Sequence, residues 1–287
     1  MSAVYKRELR SYFCGMTGPI FIAFLLLITG IYMTALNFYS GYPGFEAALS
    51  SVIFVFLLVI PIITMRSFSE DMHSRTDQLL FSLPMKLSSV VLAKYFAMVT
   101  VLLIPTAVRC TYPVLLSFYG TVNFSAAYGA IFGFFALGCA LIAIGMFLSS
   151  LTESQVIAAV LTFAVFILMY LMTGLSTLIP ATAGASLGAF LLLAAVVALI
   201  LYSLTKNVTA AGVVGGVLAL VTLAVYLVNS ALFEGSFQKL LAGLAFFDRF
   251  NNFANGIFDL TSLVYYISVA GLFVFFTVQN VEKRRWS

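Results

Sequence analysis

Apolar residues gather in eight long runs, at about 19–39, 48–66, 88–117, 126–150, 155–178, 186–204, 209–229 and 262–280. Each is near the ~20 residues that a helix needs to cross the hydrocarbon core of a bilayer. Turn or polar chemistry separates them: Gly41-Tyr42-Pro43-Gly44, Ser67–Lys86, Gly120–Asn123, Ser149–Ser154, Pro180–Gly184, Ser203–Asn207 and Asn229–Ser262. The pattern predicts an all-α fold, a polytopic membrane helix bundle of about eight transmembrane helices. The sixth and seventh runs are rich in Ala, Gly and Val, and their ends are the least sharply marked.

Two other segments mix apolar and charged positions. Met1–Met16 sets Val4, Tyr5, Leu9, Tyr12 and Phe13 among Lys6, Arg7 and Arg10. That mixture predicts an amphipathic helix lying in the inner headgroup region, with the three cations against anionic lipid. The stretch 231–259 mixes Leu232, Phe233, Leu240, Leu241, Phe246 and Phe247 with Glu234, Lys239, Asp248 and Arg249. It predicts short helices on the outer surface. Residues 1–287 then read as one transmembrane domain, with 1–16 an interfacial helix, 67–85 a cytoplasmic loop and 231–259 extracytoplasmic.

Composition agrees with lipid as the solvent. The chain is 63% hydrophobic and 8% charged, with mean hydropathy +1.12, against about 25% charged residues in soluble domains. Its net charge of +4 is small for 287 residues, which argues against a nucleic-acid partner. Cys14, Cys110 and Cys139 are dispersed and odd in number, so they form neither a disulfide framework nor a metal site. The run from Pro19 to Tyr39 is too long for a signal peptide's apolar core.

Placement of Lys and Arg gives the orientation. With both termini cytoplasmic, the inner side holds Lys6, Arg7, Arg10, Arg66, Arg75, Lys86, Lys94, Lys206, Lys283, Arg284 and Arg285, eleven of the fourteen cations. The outer side holds Lys239 and Arg249. Arg109 lies within the third run, between Pro105 and Pro113. Prolines there should kink or loosen the helix. The guanidinium either snorkels to the outer headgroups or contacts an anionic group of substrate or lipid.

The first inner loop, Arg66–Lys94, reads RSFSEDMHSRTDQLLFSLPMKLSSVVLAK. Ser67–Leu83 can form a short helix ahead of Pro84. Read by composition, it is a solvated loop or a docking element. Its order of residues resembles the first cytoplasmic loop of ABC-2-type permeases, the membrane subunits of one group of ATP-binding-cassette transporters. That pattern has an acidic pair, a Gly/Arg/Lys-Thr, a polar step, Leu-Leu, Ser/Thr-x-Pro and Gly/Ala-Lys. Here stand Glu70-Asp71, Arg75-Thr76, Asp77-Gln78, Leu79-Leu80, Ser82-Leu83-Pro84 and Ala93-Lys94. Arg75 occupies the place of a common Gly, and Gln78 that of a common Glu. The Thr-Asp-Gln-Leu-Leu version is similar to the gliding-motility-type branch. So are Ser149–Gln155, Phe247-Asp248-Arg249-Phe250 with Gly256, and the ending Val281–Trp286. The family has six spans as a rule, so about 183–230 reads as an added pair outside the resemblance.

The resemblance implies a permease subunit of an ABC transporter, an exporter in a bacterial plasma membrane. Glu70, Asp71, Arg75, Thr76, Asp77, Gln78, Leu79 and Leu80 would couple to a groove on an ATPase subunit. It further implies two ATPase chains and a second permease chain, identical or not. ATP and Mg would be used by the partner; this chain has no Gly-Lys dipeptide, hence no phosphate loop and no cofactor of its own. The alternative class, a secondary transporter or channel not driven by ATP, usually places charge deep in its spans, and only Arg109 lies there. An intramembrane enzyme needs clustered acids, His or Cys at depth, and the one histidine, His73, is in the loop. Gly129-x-x-x-Gly133, Gly184-x-x-x-Gly188 and Gly212-x-x-x-Gly216 allow close helix contact.

Overall fold

A computed structural model describes residues 1–75, 86–178, 180–205 and 208–286. Among them every regular element is helical. In a bilayer core a helix satisfies its own backbone N–H and C=O groups, which apolar side chains alone cannot do. Among the described residues six helices are long and apolar enough to cross a membrane: Thr17–Tyr39, Phe45–His73, Leu87–Ser117, Phe124–Ser149, Gln155–Met172 and Leu260–Arg284. The sixth and seventh runs also form helices, with shorter apolar stretches at Ala183–Leu199 and Gly212–Leu227.

Contacts divide the chain into two compact units, Met1–Ile167 with Phe247–Ser287, and Leu168–Phe246. The first begins with α1 (Ser2–Cys14) and α2 (Thr17–Met33), which runs on as a π-helical turn over Thr34–Tyr39. Asn37 in that turn donates to the carbonyls of Tyr42 (2.7 Å) and Gly44 (2.9 Å) and so closes the following loop. The second span is built from α3 (Phe45–Val52), a 3₁₀ turn (Ile53–Val55), α4 (Phe56–Thr64) and α5 (Arg66–His73). The third is α6 (Leu87–Arg109) followed by α7 (Tyr112–Ser117). Its break at Cys110–Thr111 falls beside Pro113, in the first turn of α7.

The centre of this unit is α8 (Phe124–Ser149), started by Asn123, whose side chain accepts from the Ala126 N–H. Its small residues let neighbours approach closely, which is how helices gain packing energy in lipid. A Cβ at Gly133 would lie 2.6 Å from the Phe253 ring, at Gly138 2.6 Å from Leu102, and at Gly145 2.5 Å from the Thr64 hydroxyl oxygen. α9 (Gln155–Leu178) starts in this unit. The unit is completed by α13 (Phe250–Ala254) and α14 (Leu260–Trp286). Asp259 caps α14, accepting from Thr261 N–H (2.9 Å) and the Ser262 hydroxyl (2.6 Å). Hydrogen bonds from Ser262, first, and Asn252 hold its carboxyl well below the usual range.

The second unit holds α10 (Ala183–Thr205), α11 (Val208–Val228), a 3₁₀ turn (Ser230–Phe233) and α12 (Ser236–Leu244). Gly215 of α11 seats against Ala198 of α10. Phe190 meets Phe233 and Phe237 edge to face, with centroids 5.8 and 5.2 Å apart. The stretch read from sequence as an added pair lies inside this unit.

Candidate coupling site

Polar side chains of α6, α8 and α14 meet α5. This helix continues the second span past a joint at Met65, whose N–H bonds the Pro61 carbonyl at 2.9 Å. α5 ends at His73, and of the helix expected over Ser67–Leu83 the part from residue 76 on lies outside the described residues. Arg75 follows it with φ 55°, the left-handed conformation that commonly terminates a helix and favours glycine. Arg75 stands where the resembling permeases commonly have Gly, so the backbone gives that Gly its reason. Thr76, Asp77, Gln78, Leu79 and Leu80 lie outside the described residues.

Ser67, Phe68, Ser69 and Met72 form the buried side of α5. The Ser149 hydroxyl of α8 accepts from the N–H groups of Phe68 (3.2 Å) and Ser69 (3.3 Å), in the first turn of α5. The first N–H groups of a helix lack partners within it, so a cap here is supplied by another helix. Ser69 returns a bond, its hydroxyl donating to the Ser149 carbonyl at 2.9 Å. One turn on, Arg284 of α14 reaches the Met72 sulfur and lies 3.5 Å from Glu153. Asn280 donates to the Ser150 carbonyl at 2.8 Å.

On the other flank Lys94, two turns inside α6, is almost wholly buried, its side chain 3% exposed. Its ammonium lies 2.7 Å from Asp71 and 3.2 Å from Glu8 of α1, and donates to the Ser67 carbonyl at 2.7 Å. It also sits over the Phe68 ring, 5.2 Å from its centroid. The acidic pair of the loop motif is thereby split. Asp71 turns inward to Lys94, while Glu70, 44% exposed, forms a two-pronged pair with Arg66 at 2.8 Å for each bond. His73, Ser74 and Arg75 are exposed at the tip.

α1 packs against this cluster with Val4 and Tyr12 buried. The Tyr12 hydroxyl donates to the Ile63 carbonyl at 3.2 Å, and burial pushes its phenol pKa up. Lys6, Arg7 and Arg10 are exposed. Arg7 bonds Glu8 at 2.7 Å, which raises the guanidinium above its ordinary value. From sequence, Lys94 and Ser149 entered only as members of matched motifs, with no contact assigned to either, and Glu8 had no role. A lone Glu in a basic segment and a Lys two turns inside an apolar run were the available signals.

Arg109 does not snorkel: it is fully buried. Its guanidinium turns back into the bundle, donating to the Leu25 carbonyl midway along α2 at 3.3 Å and covering the Phe134 ring at 4.5 Å. Nε and Nη1 have no hydrogen-bond partner among the described residues. Structure therefore separates Arg109 from the residues gathered around α5. Among the described residues no group of His, Cys, Asp and Glu is arranged to hold a metal ion.

Six apolar spanning helices and a polar platform at one end define a multi-pass membrane protein. Residues 9–211 match the family model for ABC-2 family transporter proteins, so the chain belongs to that family. Its members are membrane permease subunits without catalytic activity of their own, and membership implies association with ABC ATPase subunits. The match runs through α10 into α11, so 183–211, set aside from sequence as outside the resemblance, lies inside it. Searches of the curated proteins and of the solved structures each gave no match.

Proposed function

We propose that this chain is the permease subunit of an ABC exporter of the gliding-motility-type branch, in which ATPase subunits dock on the exposed tip of α5. The observation that carries this reading is the construction of α5. It is continuous with the second span, tied on both flanks to other helices, half-buried at Glu70 and exposed at His73, Ser74 and Arg75. A protrusion so held passes a push at its tip into the spans instead of bending away.

The basic end faces the cytoplasm in this reading, with both termini there and α10 and α11 completing eight spans. Lys6, Arg7 and Arg10 face anionic headgroups in a bacterial plasma membrane, at about 1 kcal/mol per cation near the surface. Two ATPases using ATP and Mg serve two permease chains. The two unpartnered nitrogens of Arg109 support a contact there with an anionic group of substrate or lipid that reaches into the bundle.

Co-purification tests the docking. Glu70→Ala with Arg75→Glu should lose most of the ATPase recovered with the wild-type chain, at equal membrane insertion. Equal recovery would refute the assignment of the α5 tip.

A further inference from the structure

Three separate segments cross at Lys94. Glu8 arrives from α1, Asp71 and the Ser67 carbonyl from α5, and the ammonium from α6. The three acceptors match its three N–H donors. Beneath it, Val4 packs on Val90 and Ala93, and Tyr5 shares a hydrogen bond of 2.9 Å with Thr100 farther along α6.

We propose that the Lys94 ammonium clamps α1, α5 and α6 into one body, and that this body, not α5 by itself, is what a docked ATPase subunit moves. The second half rests on the coupling reading above; the clamp rests on the geometry alone. The two carboxylates are 13% and 19% exposed, and the ammonium between them 3%. Pulling α5 or α1 away strands a charge that water cannot reach freely, which is far less favourable than separating an exposed pair. Without the ammonium, two like charges face each other across the α1–α5 junction. Lys94 is thus a positioning residue: it touches no ATPase, and acts by holding the helix that does.

The test is a distance between spin labels at Cys14, exposed at the end of α1, and at Ser74→Cys beyond α5. Cys110 and Cys139 are replaced by Ala, and the full chain is held in nanodiscs with its co-purified ATPase. Wild type should give one narrow distribution, unchanged between the nucleotide-free state and ATP with vanadate. Lys94→Met should broaden it by more than one helical turn, about 5 Å. Lys94→Met with Glu8→Gln, which leaves one carboxylate in place of an opposed pair, keeps the chain folded and should broaden it likewise. Superimposable distributions in wild type and the double variant would overturn the clamp. A wild-type distance that changed with nucleotide would overturn it too. Should no ATPase be recovered with the unlabelled wild-type chain, the coupling reading fails; should only the label at position 74, in the docking tip, cost recovery, the nucleotide-free comparison still decides the clamp.

Discussion

Lys94 and Arg109 are buried in the first unit, and replacing each by Met should move stability in opposite directions. Lys94 has two carboxylates and a carbonyl within 3.2 Å. Its removal leaves Glu8 and Asp71 facing each other in a poorly hydrated site. Stranding a buried partner costs about 3–5 kcal/mol. Arg7 still neutralises Glu8 from the exposed side at 2.7 Å, so the low end, about 3 kcal/mol, applies. Arg109 has no carboxylate; its partners are one carbonyl at 3.3 Å and a ring at 4.5 Å. A charged arginine at membrane depth costs about 2.5–3.5 kcal/mol. Losing one long hydrogen bond and one ring contact returns about 1 kcal/mol each. Arg109→Met should therefore stabilise the chain by about 1 kcal/mol, the sign expected when a lone buried charge gives way to an apolar side chain. Reversible unfolding in mixed detergent micelles, followed by circular dichroism, reads both. Equal destabilisation by the two variants would refute the reasoning, because burial alone, and not pairing, would then set the sign.

Arg75→Gly should stabilise the end of α5 by about 1 kcal/mol, since an L side chain at φ 55° is strained; the same unfolding assay checks it. Ser149→Ala should cost about 1–3 kcal/mol by leaving the Phe68 and Ser69 N–H groups without their acceptor, and those two amides should exchange hydrogen faster than their neighbours. The Asp259 cap has a folded pKa below the unfolded value, so its contribution is complete above the ordinary carboxylate range. It fades as pH falls through the folded value, and the protection of the Thr261 amide, its exchange rate relative to the intrinsic rate at each pH, should fall over that acid window and be constant at neutral pH and above.

The spans were legible because lipid imposes one rule, an unbroken apolar run of helical length, and the fourth run at 126–150 matches α8 to within two residues. The break beside Pro113 was legible because proline acts locally. Pairings between distant segments were not. Lys94 meets Glu8 and Asp71, and Ser149 meets Ser69, across separations that leave no period in the sequence. Glycine spacing misled in the same way. Among the described residues, of the six glycines in the three G-x-x-x-G pairs only Gly133 meets a neighbour, and Gly129, Gly184, Gly188, Gly212 and Gly216 have none within reach of a Cβ. The close contacts at Gly138 and Gly145 are seven apart, two helical turns on one face. Arg75 shows the reverse case: its conformation follows from no local propensity, and only the comparison with a common Gly points to it.

Neighbouring residues on a helix point about 100° apart, so an acidic pair cannot present both carboxylates to one groove. In this chain the division is complete. Glu70 sits outside with Arg66, and Asp71 sits inside with Lys94. A motif that reads as one docking element is therefore two devices that share a helix, and single substitutions should separate them. Glu70→Gln should weaken ATPase recovery while leaving the label distance between Cys14 and position 74 narrow. Asp71→Asn should do the opposite, since it removes one arm of the clamp and leaves the outer face of α5 intact. If Asp71→Asn lost ATPase recovery as fully as Glu70→Gln and left the distance unchanged, Asp71 would belong to the docking face, and the inward geometry would not govern its role.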